Sequence, residues 1–288
     1  MDQPKALPES LALERLETNL FRGFNAQDSG PRIFGGQVIA QSLLAAYATV
    51  DERICHSLHC YFIRPGDPNT PIIFEVDRSR DGGTFTTRRV IAVQHGKQIF
   101  NLAASFQAPE DGFEHQAPMP ASPDPETLPN ETELQKQVMA DIPEAMRKWA
   151  ERPRPIEMRP VDGGFFYMGK NPPPRDPENQ VWFRARDPIG DDVRMQQVIL
   201  AYASDMSLLS VAMRPHGVHW QTRGLQSASL DHAMWFHKPT NFNDWHLYAQ
   251  DSPSASGGRG FIRGAIYSQS GELVASVAQE GLVRMRKD

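Results

Sequence analysis

Cysteine is scarce in this 288-residue chain: Cys55 and Cys60 are the only two, five apart in one extended segment. That pattern supports neither a disulfide framework nor a zinc site, and it fits reduced thiols in a cytosolic protein. The nine histidines show no repeated metal-ligand spacing, so neither a metal nor another cofactor is expected. No apolar run approaches the length of about 18 residues that a membrane span needs. The opening stretch MDQPKALPESLALERLETNL lacks the apolar core of a secretion signal. The chain ends Met285-Arg286-Lys287-Asp288 rather than in a peroxisomal SKL-type signal, so a cytoplasmic location is expected. An excess of positive charge is missing too. Thirty basic side chains stand against 35 acidic ones, net −5, with no basic stripe, so nucleic acid is not an expected partner. No G-x-S-x-G elbow occurs. Gly257-Gly258-Arg259-Gly260 lacks the lysine and helix of a phosphate-binding loop.

Proline, in contrast, is plentiful and uneven. Fourteen of the 24 prolines lie between Pro109 and Pro177. Proline has no amide donor, so this stretch is neither a continuous helix nor a central strand. A short helix is expected around Glu131–Ala150, between the proline clusters. The chain therefore divides into residues 1–108, a proline-rich connection over 109–177, and residues 178–288.

The two outer parts resemble each other. His59-Cys60-Tyr61-Phe62-Ile63-Arg64-Pro65 matches Ala233-Met234-Trp235-Phe236-His237-Lys238-Pro239 at an offset of 174. At an offset of 175, Gly82-Gly83 meets Gly257-Gly258, Arg88 meets Arg263, Gly96 meets Gly271 and Ala103 meets Ala278. Gln37-Val38-Ile39 matches Gln197-Val198-Ile199. Ordered matches favour an internal duplication over chance. Each part opens with an apolar helix, expected over Phe34–Tyr47 and Val193–Met213, which lacks a clear polar face. Each continues with strand-like segments. Arg88–Val93 and Gln98–Phe106 read as a hairpin, as do Phe261–Tyr267 and Glu272–Met285. The expected class is α+β: in each half an antiparallel sheet wraps a central helix, the hotdog arrangement, made twice in tandem.

Polar residues on apolar faces mark where chemistry could sit. Asp205 interrupts the second apolar run, and an unpaired buried carboxylate is costly. It is either functional, or a carboxylate at a helix end or on a solvent stripe. Its first-half counterpart is Ala45, so the helix can be built without an acid there. Gln279 is the one hydrogen-bonding side chain on the face shared by Leu273, Ala275, Val277, Gly281, Val283 and Met285. Its counterpart is Ala104. Gln226-Ser227-Ala228-Ser229-Leu230-Asp231-His232 suggests a serine triad, but on one continuous strand Ser229 and His232 face opposite ways. Asp231 reads as structural, and His232 as a satisfied, half-buried histidine. Arg259 and Arg263 are the candidates for an anionic ligand.

These features also resemble a known family, the acyl-CoA thioesterase II enzymes. The resemblance is carried by Phe34-Gly35-Gly36-Gln37-Val38, by His56 to Asp67 (HSLHCYFIRPGD), by Ala104-Ser105-Phe106-Gln107 and by Leu200-Ala201-Tyr202-Ala203-Ser204-Asp205. Leu230-Asp231-His232-Ala233-Met234-Trp235-Phe236-His237, Ser254-Ala255-Ser256, Arg259-Gly260-Phe261 and Val277-Ala278-Gln279-Glu280-Gly281 complete it. It implies a tandem double hotdog, hydrolysis of fatty acyl-CoA, and a homo-oligomer, dimer or tetramer. It also implies a catalytic trio at Asp205, Ser229 and Gln279, with serine where the bacterial pattern has threonine. The three would converge on one water, Asp205 as general base. Gly35 and Gly36, at the opening of the first helix, are candidates to supply a backbone N–H to the oxyanion. Two other classes remain: a hotdog dehydratase or hydratase that uses histidine with an acid, and a non-catalytic acyl-CoA binder.

Overall fold

The computed structural model describes residues 6–25, 32–139, 144, 147, 154–163 and 171–286. Its first half contains the helices α1 (Leu7–Leu11) and α2 (Gly35–Tyr47). The strands there are β1 (Leu13–Glu17), β2 (Leu20–Gly23), β3 (Ile54–Phe62), β4 (Ile72–Asp81), β5 (Phe85–Gln94) and β6 (Lys97–Gln107). Helix α3 (Glu131–Val138) and strand β7 (Ile156–Pro160) follow within the proline-rich connection. The rest comprises β8 (Glu178–Ala185), α4 (Val193–Ser204), α5 (Leu208–Val211), β9 (Leu225–Ser229), β10 (Asp231–Phe236), β11 (His246–Ser256), β12 (Arg259–Ser268) and β13 (Leu273–Met285).

Alternation along the strands explains the sheet. In β5, Thr86, Arg88, Val90, Ala92 and Gln94 are buried while Phe85 and Arg89 are exposed, so one face is turned to a core. The strands join one antiparallel sheet in the order β1-β2-β4-β5-β6-β3-β10-β13-β12-β11-β8-β7, with β9 added alongside β13. Strands β3 and β10 form the seam between halves, and their register sets Ala233 opposite His59. Those are the two residues that the offset of 174 equates, so a two-fold axis through this pair would exchange the halves.

The sheet wraps α2 and α4, whose buried residues share one hydrophobic cluster with the inward faces of the strands. Burial nearly all round explains why neither helix shows a polar face. The two pack antiparallel. Phe34 meets Tyr202 at one end, ring centroids 5.1 Å apart, and Tyr47 hydrogen-bonds Gln197 at the other. This is the tandem double hotdog, α+β in class.

The proline-rich connection has a specific task. Trp182, Trp245, Leu247 and Tyr267 form a second cluster, with Met119 and Leu128 of the connection packed on it. Trp182 Nε1 donates to the Pro123 carbonyl at 2.9 Å, and Trp245 Nε1 donates to Glu126 at 2.8 Å. Prolines suit this covering, since an extended segment over a sheet face needs few of its own amide donors. The expected helix begins at Glu131, where Asn130 and Glu133 form a reciprocal capping box. Most of its expected continuation toward Ala150 lies outside the described residues.

One expected element is divided. The apolar run Val193–Met213 forms not one helix but two, because Asp205 caps α4 and Ser207 takes a left-handed conformation, φ 69°. Gln250 Nε2 donates to Ser207 Oγ at 2.8 Å and holds that turn.

Close approach of the helices depends on Gly36, where a Cβ would collide with the Tyr202 carbonyl oxygen and the Phe34 ring. Gly36→Ala is expected to lower unfolding free energy by about 1–3 kcal/mol, the usual scale of overpacking. Gly83→Ala, whose Cβ would meet nothing within 4 Å, serves as control. Equal urea midpoints for the two variants would contradict this account of the helix contact.

Candidate active site

The turn after α4 delivers Asp205 to the start of α2. That start has no side-chain cap of its own: Phe34 occupies the cap position and makes no capping hydrogen bond. The first N–H groups of a helix lack internal acceptors and carry its positive dipole end. Asp205 brings a carboxyl from the other half of the chain to this helix start, where the Gly36 N–H favours its charged form. Gly35 makes room for it, since a Cβ there would lie 2.6 Å from Asp205 Oδ2. The two glycines thus make room for Asp205 and Tyr202.

Gln279 reaches the same place from the centre of β13. It is 1% exposed, and its Nε2 donates to Ser229 Oγ at 2.9 Å. Its Oε1 lies 2.7 Å from His232 Nδ1. His232 is also 1% exposed, and its Nε2 lies 3.0 Å from Ser204 Oγ, on the residue before Asp205. The side chains of Ser204, His232, Gln279 and Ser229 therefore form a chain that begins and ends beside Asp205.

Strict alternation would have kept Ser229 and His232 on opposite faces. The structure brings both to Gln279 because the strand is interrupted. Ser229 pairs with Gly281 and Ala233 pairs with Ala278, so one extra residue lies on the β9–β10 side. Such a bulge reverses the facing of everything beyond it. Asp231 explains how the bulge is tolerated. Its Oδ1 accepts the Glu280 N–H at 2.6 Å, in place of a ladder carbonyl. Burial raises the Asp231 carboxyl above the ordinary range, and this hydrogen bond opposes that rise.

Burial also dominates the Asp205 carboxyl. It is pushed up to about 7, against the opposing pull of the Gly36 N–H, Ser229 and Gln279. Asp205 is half-buried: part of it opens to a pocket, while its Oδ1 is buried and has no hydrogen-bond partner among the described residues. That pocket, about 230 Å³, is lined by Leu209, Met213, Val218 and Trp220 together with Asp205. His232 goes the other way. Burial holds it down at about 4, so the ring is neutral.

Arg259 and Arg263 are not brought to this site. Ile262 pairs with Gln279 and is buried, so its neighbours Arg263 and Phe261 face outward by alternation. Arg259 is paired with Glu280 at 2.9 Å and Arg263 with Asp251 at 2.5 Å. The sequence match of Arg88 with Arg263 is displaced by one residue. Arg88 pairs with Ala104 and points inward, where the second half has Ile262 opposite Gln279. Among the described residues, no group of His, Cys, Asp and Glu is arranged to hold a metal ion, and no helix is long and apolar enough to cross a membrane.

A half-buried carboxyl raised toward neutrality, with a hydroxyl and a carboxamide beside it, thus lies between two hotdog units. Comparison with known proteins gives the chain its family. Residues 25–107 match the family model of the acyl-CoA thioesterase N-terminal domain, and residues 172–282 match that of acyl-CoA thioesterase. "Acyl-CoA thioesterase 2" of Haemophilus influenzae is 41% identical over 276 residues, 95% of each chain. The crystal structure of the acyl-CoA thioesterase II TesB2 from Mycobacterium marinum is 44% identical, with a TM-score of 0.79 over 98% of this chain and 99% of that one. A hot dog fold protein from Alicyclobacillus acidocaldarius, at 19% identity, shares the fold with a TM-score of 0.75 over 96% of this chain and 97% of that one. The chain belongs to the acyl-CoA thioesterase II family, whose members are thioester hydrolases.

The raised Asp205 pKa has a stability consequence. A carboxyl at about 4 in the unfolded chain and about 7 in the folded one favours folding fully only below pH 4. That contribution is lost as pH rises from 4 to 7 and is constant above. Asp205→Asn has no such loss. Its urea midpoint is expected to gain on the wild type between pH 4 and pH 7 and to hold that lead at pH 8. A pH-independent difference would show that Asp205 is not raised by burial.

Proposed function

We propose that the chain hydrolyses fatty acyl-CoA to free fatty acid and CoA, using a water activated by Asp205 and oriented by Ser229 and Gln279. The observation that carries this reading is the meeting of those three side chains at the start of α2. Asp205, as carboxylate, takes a proton from the water, and the resulting hydroxide attacks the thioester carbonyl carbon. The tetrahedral intermediate collapses with cleavage of the C–S bond, and the proton held by Asp205 passes to the departing CoA thiolate. Thiolate is a good leaving group, so no covalent acyl-enzyme is required. Holding the water in attack geometry contributes several kcal/mol to lowering the barrier. A base with a pKa near the working pH combines availability with proton affinity, and Asp205 at about 7 meets that requirement. Leu209, Met213, Val218 and Trp220 offer an apolar wall for the acyl chain.

The dehydratase reading requires a histidine that exchanges protons with substrate. His232 is unsuited, being neutral, buried, and engaged at both ring nitrogens by Gln279 and Ser204. A pure binding protein has no use for a carboxylate held in so costly a setting. The two buried thiols, Cys55 and Cys60, support a cytoplasmic setting, and the exposed Tyr61 and Trp235 beside the seam support a homo-oligomer.

The test is release of free CoA from decanoyl- or palmitoyl-CoA, followed by thiol titration. Asp205→Asn is expected to lower kcat by at least ~10²-fold, the lower scale for losing a positioned base. Wild-type kcat/KM is expected to rise tenfold per pH unit up to about 7 and then level off, as the carboxylate forms. A folded Asp205→Asn variant with wild-type kcat would remove Asp205 from the mechanism. An acyl-enzyme trapped in Ser229→Ala would exclude direct attack by water.

A further inference from the structure

We propose that His232 is a positioning residue for thioester hydrolysis: its Nδ1–H fixes the Gln279 carboxamide in the one orientation that leaves the Ser229 hydroxyl free to point at Asp205 or its water. This rests on the reading of Asp205, Ser229 and Gln279 given above and adds a fourth residue to it.

The argument is one of hydrogen-bond polarity. A neutral imidazole has one donor and one acceptor nitrogen. With the proton on Nδ1, the ring donates to Gln279 Oε1 at 2.7 Å. The carboxamide must then turn its NH2 toward Ser229, and it does so at 2.9 Å. Ser229 Oγ is thereby an acceptor from Gln279, and its own proton is left for Asp205 or for water. With the proton on Nε2 the order reverses. The carboxamide would donate to His232, its oxygen would face Ser229, and the Ser229 proton would be drawn away from Asp205. Ser204 Oγ, which donates to the Ala201 carbonyl at 2.9 Å, lies 3.0 Å from His232 Nε2, so the first arrangement requires the Ser204 hydroxyl to turn its proton from Ala201 to His232. Burial keeps the ring neutral, which preserves the single-donor logic.

Comparison of the two halves separates this role from a packing role. Gln279 lies one residue beyond the Ala233–Ala278 pair and His232 one residue before it. The same positions across the first half are Ala104 and Leu58, which pair directly and are both buried. The hotdog sheet is therefore built equally well with an apolar pair at this place. Histidine and glutamine are present together in one half and absent together in the other. That is the pattern of a unit whose members need each other, since a buried glutamine facing leucine would leave a polar atom unsatisfied.

The experiment compares His232→Leu, His232→Asn, His232→Gln, Gln279→Ala and the double variant His232→Leu/Gln279→Ala, each checked for folding by circular-dichroism melting. The readouts are kcat and KM for palmitoyl-CoA. His232→Leu is expected to lower kcat roughly 10- to 100-fold, the scale of losing a supporting outer-shell hydrogen bond, with KM little changed. His232→Asn, whose amide nitrogen falls near the Nδ1 position, is expected to recover most of kcat. His232→Gln, whose amide falls nearer Nε2, is not. The double variant is expected to be no slower than Gln279→Ala alone, because His232 acts through Gln279. Unchanged kcat in His232→Leu, or multiplying losses in the double variant, would overturn the proposal. If His232→Leu does not fold, recovery in His232→Gln equal to that in His232→Asn overturns it instead. Unchanged kcat in Gln279→Ala would overturn the underlying trio as well, and so separates the two failures.

Discussion

Much of this molecule turns on one juxtaposition, the Asp205 carboxyl of one half set against the Gly35–Gly36 start of α2 in the other. The start of α2 offers unpaired donors and a positive dipole end, and the residues around it supply no local cap. Asp205 is brought to that end from across the helix pair, and in the process is partly withdrawn from water. Two opposed effects then act on its carboxyl. The N–H and the dipole favour the charge, while burial opposes it. Burial wins, because the group settles near 7 rather than below 4. The glycines at 35 and 36, the break of α4 at Ser207 and the antiparallel packing of the two helices are all conditions for that contact. Polar groups from β9 and β13, Ser229 and Gln279, lie beside the same carboxyl.

The opposite end of the helix pair shows what the same geometry becomes without chemistry. There the C-terminus of α2 meets the N-terminus of α4, and side chains fill the junction. The Tyr47 hydroxyl bonds Gln197 and accepts the Cys55 N–H at 2.8 Å, and Arg194 lies over the Tyr47 ring, 5.3 Å from its centroid. Arg88, 2% exposed, donates to the Thr49 carbonyl at 2.9 Å and closes the end of α2. A guanidinium is a suitable partner for the negative end of a helix, as a carboxylate is for the positive end. One end therefore holds a carboxyl group and a pocket, and the other holds a packed plug. A duplicated fold with a near two-fold seam carries its candidate chemistry at one junction.

The fold was legible in sequence to the extent that it follows local rules. Both hairpins, the first central helix and the start of α4 lie where periodicity and turn residues place them. Gln279 was legible because period-two alternation holds along β13, and Asp205 because an acid in an apolar run has no local justification. Two of the failures share one cause, a single residue that shifts register, while the run Val193–Met213 is divided instead by the left-handed turn at Ser207. The extra residue near Leu230 turns His232 to the face of Ser229, and no period-two count across it can be correct. The match of Arg88 with Arg263 pairs an inward residue with an outward one for the same reason. The proline-rich segment was recognisable as a connection, but its task depends on Trp182 and Trp245, which are distant in sequence and visible as partners only once the sheet is formed.

The two halves differ in how strictly they obey the rules of a stable core, and this has a physical consequence. A buried polar atom without a partner costs about 1–3 kcal/mol, and Asp205 Oδ1 is such an atom. A neutral buried histidine and a glutamine add little stability beyond what Leu58 and Ala104 provide in the first half, and they demand that every donor find its acceptor. A single hotdog unit would have to bear these costs within the same core that holds it together. Joining the two units along β3 and β10 places the polar chain in one part of a sheet whose remainder is apolar and continuous. The strained junction is therefore carried by a scaffold larger than the unit that contains it. That arrangement explains why a carboxylate can be kept near neutrality, poised and only partly satisfied, without the fold giving way around it.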